Sequence, residues 1–136
     1  ESVALRVCAI YHCRQVNHTD GHHVGDTVLQ ATAKIITQNM RAGDLLARWG
    51  GEEFLALLPR TSPTAALEAA ERIREAVEAF TLSVSDTNTQ VRVTISFGVS
   101  SVRCLDDLQA ATARADQALY ASKDNGRNRV TLAEDQ

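Results

Sequence analysis

The sequence predicts an α+β domain in which helices flank a mostly antiparallel central sheet. Stretches of continuous or alternating apolar residues alternate with stretches whose apolar residues recur at helical spacing. Two short apolar runs flank Gly50 and Gly51, which indicates a β-hairpin in the middle of the chain. A chain of 136 residues, 44% hydrophobic and 23% charged, has the size and balance of one globular domain.

The first half of the chain is predicted to form a strand, a helix and the hairpin. Residues 3–11 are almost continuously apolar, which is typical of a strand buried on both faces. Residues 12–23 are polar and contain all four His, so we expect a loop or an irregular helix there. Residues 24–40 have the apolar stripe of an amphipathic helix. Residues 44–49 and 54–58 are the two predicted hairpin strands, both expected to be buried.

The next elements are a second helix and a second long strand. Ser62 is the expected N-cap of the helix and Pro63 its first residue. The apolar stripe of this helix extends to Phe80. Residues 91–99 alternate with period two, which predicts a half-buried, antiparallel strand. One further strand is possible near residues 82–85.

The last elements are a helix and a short strand. Asp106 or Asp107 is the expected cap of the helix, and Asn125 and Gly126 are the expected stop. Residues 129–132 indicate the final strand. The resulting order, β-α-β-β-α-β-α-β, favours an α+β sheet like the ferredoxin-type palm of nucleotide-handling enzymes.

Charge and cysteine content exclude several classes of protein. Lys plus Arg is 14 and Asp plus Glu is 17, so the net charge of −3 disfavours a general nucleic-acid binder. No apolar run is long enough to span a membrane, and no signal peptide is recognisable, so we expect no membrane contact by this domain. Cys8, Cys13 and Cys104 form no CxxC pair, which argues against a disulfide framework and predicts a reducing, cytoplasmic location.

The hairpin is the strongest candidate for a chemical site. Gly50 and Gly51 carry no Cβ, so a phosphate or a ribose can approach the backbone closely. Glu52 and Glu53 offer the hard oxygen ligands that Mg²⁺ prefers. An ordinary glycine turn with solvated glutamates is the alternative interpretation, since short motifs often arise by chance.

Six stretches together have the order and spacing of one family's motifs. They are Asn17 with Gly21-His22 and Gly25-Asp26, Arg41-Ala42-Gly43-Asp44, the RWGGEEF stretch at 48–54, VTISFGV at 93–99, ADQALY at 115–120, and Lys123 with Gly126-Arg127-Asn128. This pattern resembles the GGDEF family, the bacterial diguanylate cyclases, in its GGEEF form. The resemblance implies an enzyme that joins two GTP molecules into cyclic di-GMP.

The resemblance also implies catalytic roles. Glu52 corresponds to a ligand of the catalytic metal, Mg²⁺ or Mn²⁺, together with the backbone carbonyl of Ile10. Glu53 corresponds to the residue beside the reacting 3′-hydroxyl, where it helps to deprotonate the hydroxyl or to hold metal. Lys123 and Arg127 bring positive charge to the triphosphate.

Further positions correspond to the family's substrate-binding residues. Asn17 and Asp26 resemble the residues that read guanine, because a carboxylate accepts from N1–H and N2–H₂, which adenine does not offer. The other expected substrate contacts are the amides of His12 and Cys13, the side chain of Arg14, and the open backbone of Gly50 and Gly51. Taken singly, each polar residue also fits a solvated helix end or a loop turn.

The first strand departs from the family pattern. Ala9 and Tyr11 stand where the family has two Asp residues, the first of them a direct metal ligand. Losing that carboxylate should weaken metal binding and slow turnover. Two hypotheses follow: a cyclase with reduced metal affinity, or an inactive domain that acts as a receptor for cyclic di-GMP or GTP.

Arg41 and Asp44 correspond to the family's inhibitory site, which implies binding of the product at this position. Arginine suits this role because its planar fork pairs bidentately and stacks on bases. One alternative is a salt bridge between residues three apart. Another is that the product binds in the active site, where Asn17 and Asp26 would read guanine equally well in product and substrate.

The resemblance implies partners as well. Two GTP molecules must meet face to face, so we expect a homodimer across the GGEEF hairpins. The helix that precedes the first strand in the family is absent, so we expect residues 1–136 to be a single-domain fragment of a longer protein with an upstream sensor or dimerisation domain.

A zinc site is a third, weaker hypothesis. Its ligands would be Cys8, Cys13, His18 and either His22 or His23. The spacing lacks the longer gap of known zinc fingers, and Cys8 lies in a buried strand.

Overall fold

The computed structural model describes residues 2–14, 21–84, 89–104 and 107–133, with the backbone alone at 10–14, 21–24, 83–84 and 89. The elements in chain order are β1 (Ser2–Arg14), α1 (Gly21–Gln38), β2 (Leu45–Gly50), β3 (Glu53–Pro59), α2 (Pro63–Glu78), β4 (Thr81–Val84), β5 (Thr89–Val102), α3 (Leu108–Asp124) and β6 (Val130–Leu132). No helix in these described ranges is both long and apolar enough to cross a membrane.

The strands form one sheet with the order β2-β3-β1-β5-β4. The short strand β6 pairs with Phe97–Val99 of β5, which lie C-terminal to the part of β5 that pairs with β4. The β5–β6 pair is parallel, and the other paired strands are antiparallel. The predicted α+β architecture with a mostly antiparallel sheet is therefore confirmed.

The two faces of the sheet are covered by different helices. Val3, Leu5, Val7 and Ala9 of β1 pack in one core with buried residues of α1 and α2. The alternate residue Ala4 packs with Ala111 of α3 on the opposite face. Because alternate residues of a strand face opposite sides, β1 is buried on both faces, as its apolar sequence predicted.

α3 lies directly on β5 at Gly98. A Cβ atom at this position would lie 1.9 Å from the Ala115 carbonyl oxygen and 2.3 Å from the Leu119 nitrogen. Ser96 and Ser100, the neighbours of Gly98 on this face, are each only 1% exposed. The prediction of a half-buried strand is therefore wrong for this part of β5, because α3 covers the polar face.

Two apolar segments are more exposed than predicted. β2 was expected to be buried, but it is the edge strand of the sheet, and Leu45 and Trp49 are 62% and 56% exposed. Phe80 was placed on the buried stripe of the second helix. It lies beyond the end of α2 and is 36% exposed, because the helix stops at Glu78.

The helix caps predicted from the sequence are confirmed in part. Ser62 accepts a hydrogen bond from the Ala65 N–H at 3.2 Å, as expected of an N-cap. Asp107 occupies the N-cap position of α3 but makes no capping bond with its side chain. Instead its carboxylate accepts bonds from the Arg103 N–H and from Arg114, which lower the pKa of Asp107. The alternative cap, Asp106, lies outside the described residues, whereas Asn125 ends α3 as predicted.

The contact at Gly98 generates a stability prediction. Gly98→Ala should lower the free energy of unfolding by about 3 kcal/mol or more, because the added methyl group meets helix backbone that has no room to move aside. Gly43→Ala is the matched control. A Cβ there meets no atom within 4 Å, so the change should stay within about 0.5 kcal/mol. Urea unfolding of both variants checks the prediction, and equal effects would contradict it.

Candidate functional site

The hairpin turn is open to solvent on its glycine side. Gly50 pairs with Glu53, so the turn consists of Gly51 and Glu52. Gly51 has a φ of +42°, which favours glycine, and its carbonyl accepts from the Arg48 guanidinium at 2.9 and 3.2 Å. A Cβ at Gly50 or Gly51 would meet no atom within 4 Å. No atom of the described residues fills this space, which leaves room there for a ligand.

An open cavity of about 500 Å³ lies beside the turn. It gathers residues from the middle of β1, the hairpin, the last turn of α3 and the segment after α3. The lining residues are Cys8, Gly50, Gly51, Glu52, Glu53, Lys123 and Arg127. Apart from Cys8, each of them is a site residue that the sequence analysis selected. The fold therefore brings together two distant motifs, the GGEEF hairpin and the segment from Lys123 to Arg127.

The two glutamates of the hairpin have different surroundings. Glu53 forms an ion pair with Arg6 through Oε1, and its Oε2 lies 3.6 Å from Lys123 Nζ. The Glu52 side chain is exposed and has no hydrogen bond or ion pair with the described residues. Its carbonyl accepts from the Ala9 N–H at 2.9 Å, which places Ala9 next to it. Of the pair, Glu52 is the carboxylate without a cation partner among the described residues.

Arg6 is a site residue that the sequence analysis missed. Its side chain is 4% exposed. Besides Glu53 it binds Asp116 Oδ1, with its Nη2 at 3.1 Å and its Nε at 3.3 Å. Its guanidinium also lies 5.0 Å from the centre of the Trp49 ring. A charged residue inside the apolar run of β1 was the available signal, because a buried charge needs partners.

Cys8 forms part of the cavity wall as a neutral thiol. Burial raises the pKa of this thiol, and nearby Lys123 offsets part of the rise. The thiol is therefore protonated at neutral pH and is a weak nucleophile. Of its partners in the zinc hypothesis, Cys13, His22 and His23 have no described side chain and His18 lies outside the described residues. Within the described ranges, no three His, Cys, Asp or Glu side chains are placed to hold a metal.

The hairpin offers a reduced but usable set of oxygen ligands for a divalent cation. Glu52 supplies a carboxylate, whereas Ala9 supplies none and is fully buried in the α1–α2 core. Beyond Ala9, the β1 backbone, including Ile10, pairs with β5 but not with β3. Mg²⁺ needs only one or two carboxylates when phosphates and water complete its shell, so the residues present fit such an ion.

The remaining substrate-binding candidates lie outside the described contacts. His12, Cys13 and Arg14 form the end of β1 opposite Arg92, Val91 and Gln90, with only their backbone described. Asn17 lies outside the described residues. Asp26 is exposed on the second turn of α1, and no described contact joins it to the cavity. Their roles remain predictions.

The turn that carries Arg127 is held by a network that the sequence analysis did not identify. Arg127 and Asn128 have φ values of 65° and 49°. The Asn128 N–H donates to Ser96 Oγ at 3.0 Å, and Arg74 Nη1 donates to Asn128 Oδ1 at 3.0 Å. Glu78 accepts from the Asn128 amide nitrogen. Side chains of α2 and β5 thus fix the backbone next to Arg127.

Arg41 and Asp44 form a second candidate site. Asp44 Oδ2 accepts from the Arg41 N–H at 2.8 Å, and Arg41 Nη2 lies 3.7 Å from Asp44 Oδ1. Asp44 Oδ1 is buried and has no hydrogen-bond partner among the described residues. Both residues line a cavity of about 380 Å³, together with Arg60 and Arg72. The i,i+3 ion pair is present, and additional cations that the sequence analysis missed lie beside it.

Comparison with known proteins agrees with this arrangement. The family model described as "Diguanylate cyclase, GGDEF domain" matches residues 1–129. Diguanylate cyclase A of Treponema denticola is 46% identical over 134 residues, which cover 98% of this chain and 36% of that protein. The response regulator PleD of Caulobacter vibrioides is 42% identical over 118 residues, which cover 86% of this chain and 26% of that protein. The chain thus spans about a third or less of these relatives.

Solved structures show the same fold. The GGDEF domain of DgcB from Caulobacter crescentus, in complex with c-di-GMP, has a TM-score of 0.81 and 34% identity, covering 98% of this chain and 79% of that chain. The active GGEEF domain of a diguanylate cyclase from Vibrio cholerae has a TM-score of 0.78 and 28% identity, covering 100% of this chain and 85% of that chain. With its GGEEF turn and the family model matched over nearly its whole length, the chain belongs to the GGDEF domain family of diguanylate cyclases.

Proposed function

We propose that this domain condenses two GTP molecules into cyclic di-GMP. It would bind Mg²⁺ or Mn²⁺ more weakly than a domain that has Asp residues at the positions of Ala9 and Tyr11. The observation that carries the proposal is the cavity in which Glu52, Glu53, Lys123 and Arg127 meet the open Gly50–Gly51 turn. The c-di-GMP complex of the DgcB domain supports the ligand class.

The reaction places defined demands on these residues. The 3′-hydroxyl of one GTP attacks the α-phosphorus of the other, a new P–O bond forms, and pyrophosphate leaves. Lys123 and Arg127 supply fixed positive charge for the triphosphate. The Oε2 atom of Glu53, which lies beside Lys123, would accept the hydroxyl proton. Gly50 and Gly51 let the nucleotide lie against the turn.

A divalent cation supplies positive charge to the phosphate oxygens when it is bound. Glu52 and the carbonyl of Ile10 would hold it. Asn17 and Asp26 would read the guanine edge, the backbone of His12 and Cys13 would meet the terminal phosphates, and Arg14 would add a further phosphate contact.

A receptor for cyclic di-GMP or GTP is the second candidate function. Ala9 favours it, because this residue is fully buried and offers no metal ligand beside Glu52. A domain of this kind would keep the nucleotide contacts and lose turnover.

Metal-dependent synthesis of cyclic di-GMP from GTP is the direct test of the enzyme. We expect product with Mn²⁺ in excess of product with Mg²⁺, because Mn²⁺ binds such ligands more tightly and tolerates poorer geometry. Glu52→Ala should lower the rate by about 100-fold. Chromatographic detection of cyclic di-GMP checks this, and a parent that binds GTP but forms no product would favour the receptor.

Restoring the missing carboxylate should repair the metal site. Ala9→Asp should tighten metal binding and raise the rate by about tenfold, and more when Tyr11→Asp is added. Because position 9 is fully buried, the new carboxylate should lower the melting temperature without metal, and Mn²⁺ should reverse the loss. Melting curves and rates with and without Mn²⁺ measure both effects. Folded, dimeric variants with no gain in either would contradict this account of Ala9.

The face-to-face reaction predicts a dependence on protein concentration. Each chain offers one half-site, so two chains must associate across their hairpins with two-fold symmetry. Activity should therefore rise faster than linearly with protein at low concentration, with sedimentation showing weak or ligand-induced dimers. A monomer whose activity is strictly proportional to its concentration would rule out this arrangement.

Product binding is expected at the cavity beside Arg41. Cyclic di-GMP should bind more tightly than GTP, because its two guanines are already joined. Loss of cyclic di-GMP binding in Arg41→Ala would show that the product binds at the Arg41–Asp44 site. Loss of binding in Asp26→Ala would show that it binds in the nucleotide pocket. Arg72→Ala should weaken binding at the first site alone. Titration calorimetry measures each affinity, and absence of heat at high micromolar ligand would exclude product inhibition and the receptor alike.

A further inference from the structure

We propose that Arg6 is a positioning residue for Glu53: it holds one carboxylate oxygen inside the domain and presents the other to the nucleotide cavity. The inference deepens the proposed function and rests on it for the role of Glu53. Arg6 belongs to none of the six motifs, and it contacts the cavity only through Glu53.

Arg6 is a buried charged residue of β1. Its side chain is 4% exposed, and it lies between Leu5 and Val7 in a strand that is buried on both faces. A buried guanidinium is costly unless its donors are satisfied, because burial removes it from water. Its position in β1 therefore requires partners from other elements.

The carboxylate partners of Arg6 come from a neighbouring strand and from a helix. Glu53 lies in β3 and Asp116 lies in α3, so Arg6 joins carboxylates from two elements on either side of it. Its Nη1 donates to the Phe54 carbonyl at 3.5 Å, and the Trp49 ring of β2 covers it at 5.0 Å. The guanidinium thus has contacts on each side, and its planar fork fixes the direction in which it holds Glu53.

The two oxygens of the Glu53 carboxylate have different partners. Arg6 takes Oε1, which leaves Oε2 beside Lys123 Nζ at 3.6 Å, in the wall of the cavity. Rotation of this carboxylate would break the ion pair with a buried cation. Arg6 consequently prevents Glu53 from turning away, and Oε2 stays in the cavity, where the proposed function requires a proton acceptor. A misplacement of about 1 Å is enough to cost about 100-fold in rate.

The test separates kcat from KM. Arg6→Met should lower kcat by about 100-fold and change the KM for GTP by less than about threefold, because Lys123 and Arg127 remain. Arg6→Lys should recover part of the loss, since an ammonium reaches Glu53 but does not hold two carboxylates in a fork. Asp116→Asn, which removes the second anchor from the exposed surface of α3, should give an intermediate kcat.

Two comparisons separate positioning from general destabilisation. Arg6→Met with Glu53→Gln should be no slower than Glu53→Gln alone, because the two residues act as a unit. Arg114→Met is the matched control: Arg114 is a half-buried arginine paired with Asp107 at 3.2 Å, outside the cavity, and its loss should leave kcat unchanged. Additive losses, or an unchanged kcat in folded Arg6→Met, would overturn the proposal.

A spectroscopic measurement keeps the inference independent of turnover. The ¹⁵N-bound guanidinium protons of Arg6 should exchange slowly with water in the parent and in Glu52→Gln, and measurably faster in Glu53→Gln, where Asp116 and the Phe54 carbonyl are the remaining partners. Exchange in the parent as fast as that of exposed Arg60 would overturn the proposal. If the parent makes no cyclic di-GMP, the proposed cyclase fails, and this measurement still decides whether Arg6 holds Glu53.

Discussion

The site depends on the backbone contact between α3 and β5 at Gly98. The Ala115 carbonyl lies where the Cβ of a side chain at position 98 would be, so any larger residue there would force the helix away from the sheet. Two turns farther on, Ser122 donates to the Phe97 carbonyl at 2.8 Å and fixes the end of the helix against the same strand. Lys123 follows directly. The close approach of helix and sheet therefore determines how near Lys123 comes to the hairpin.

Electrostatic balance in the cavity follows from this packing. Arg6 meets the charge of Glu53 from the protein side, and Lys123 meets it from the solvent side. Arg127 also lines the cavity and has no carboxylate partner among the described residues. With Glu53 neutralised from within, the cations on the solvent side are left to face the phosphates. This balance would limit the repulsion between the two glutamates and the triphosphate of the proposed substrate.

The local elements were predictable from sequence because short-range patterns encode them, whereas the site residues were predicted from the resemblance of six motifs to one family. The glycine turn, the Ser62 cap and the end of α3 depend on neighbours within a few residues. Arg6 was not predictable in this way, since Glu53 and Asp116 lie 47 and 110 residues away from it in sequence. Exposure of β2 was also unpredictable, because an apolar strand is buried or exposed according to its place in the sheet. Asp107 failed as a cap because Arg103 and Arg114 bind its carboxylate.

The backbone at Arg127 and Asn128 has a consequence for how this domain can change. Two successive residues with side chains adopt the left-handed conformation, which costs about 1–2 kcal/mol at Arg127 relative to glycine and less at Asn128, because asparagine tolerates this region. Glycine at either position would relieve that strain, but it would remove the guanidinium or the amide. Selection for thermal resistance alone would therefore favour glycine at 127, which lines the cavity, whereas the hydrogen bonds of Asn128 to Arg74 and Glu78 offset the strain at 128. An arginine at position 127 is thus kept at a cost in stability, which is the balance expected where a side chain serves the cavity rather than the fold.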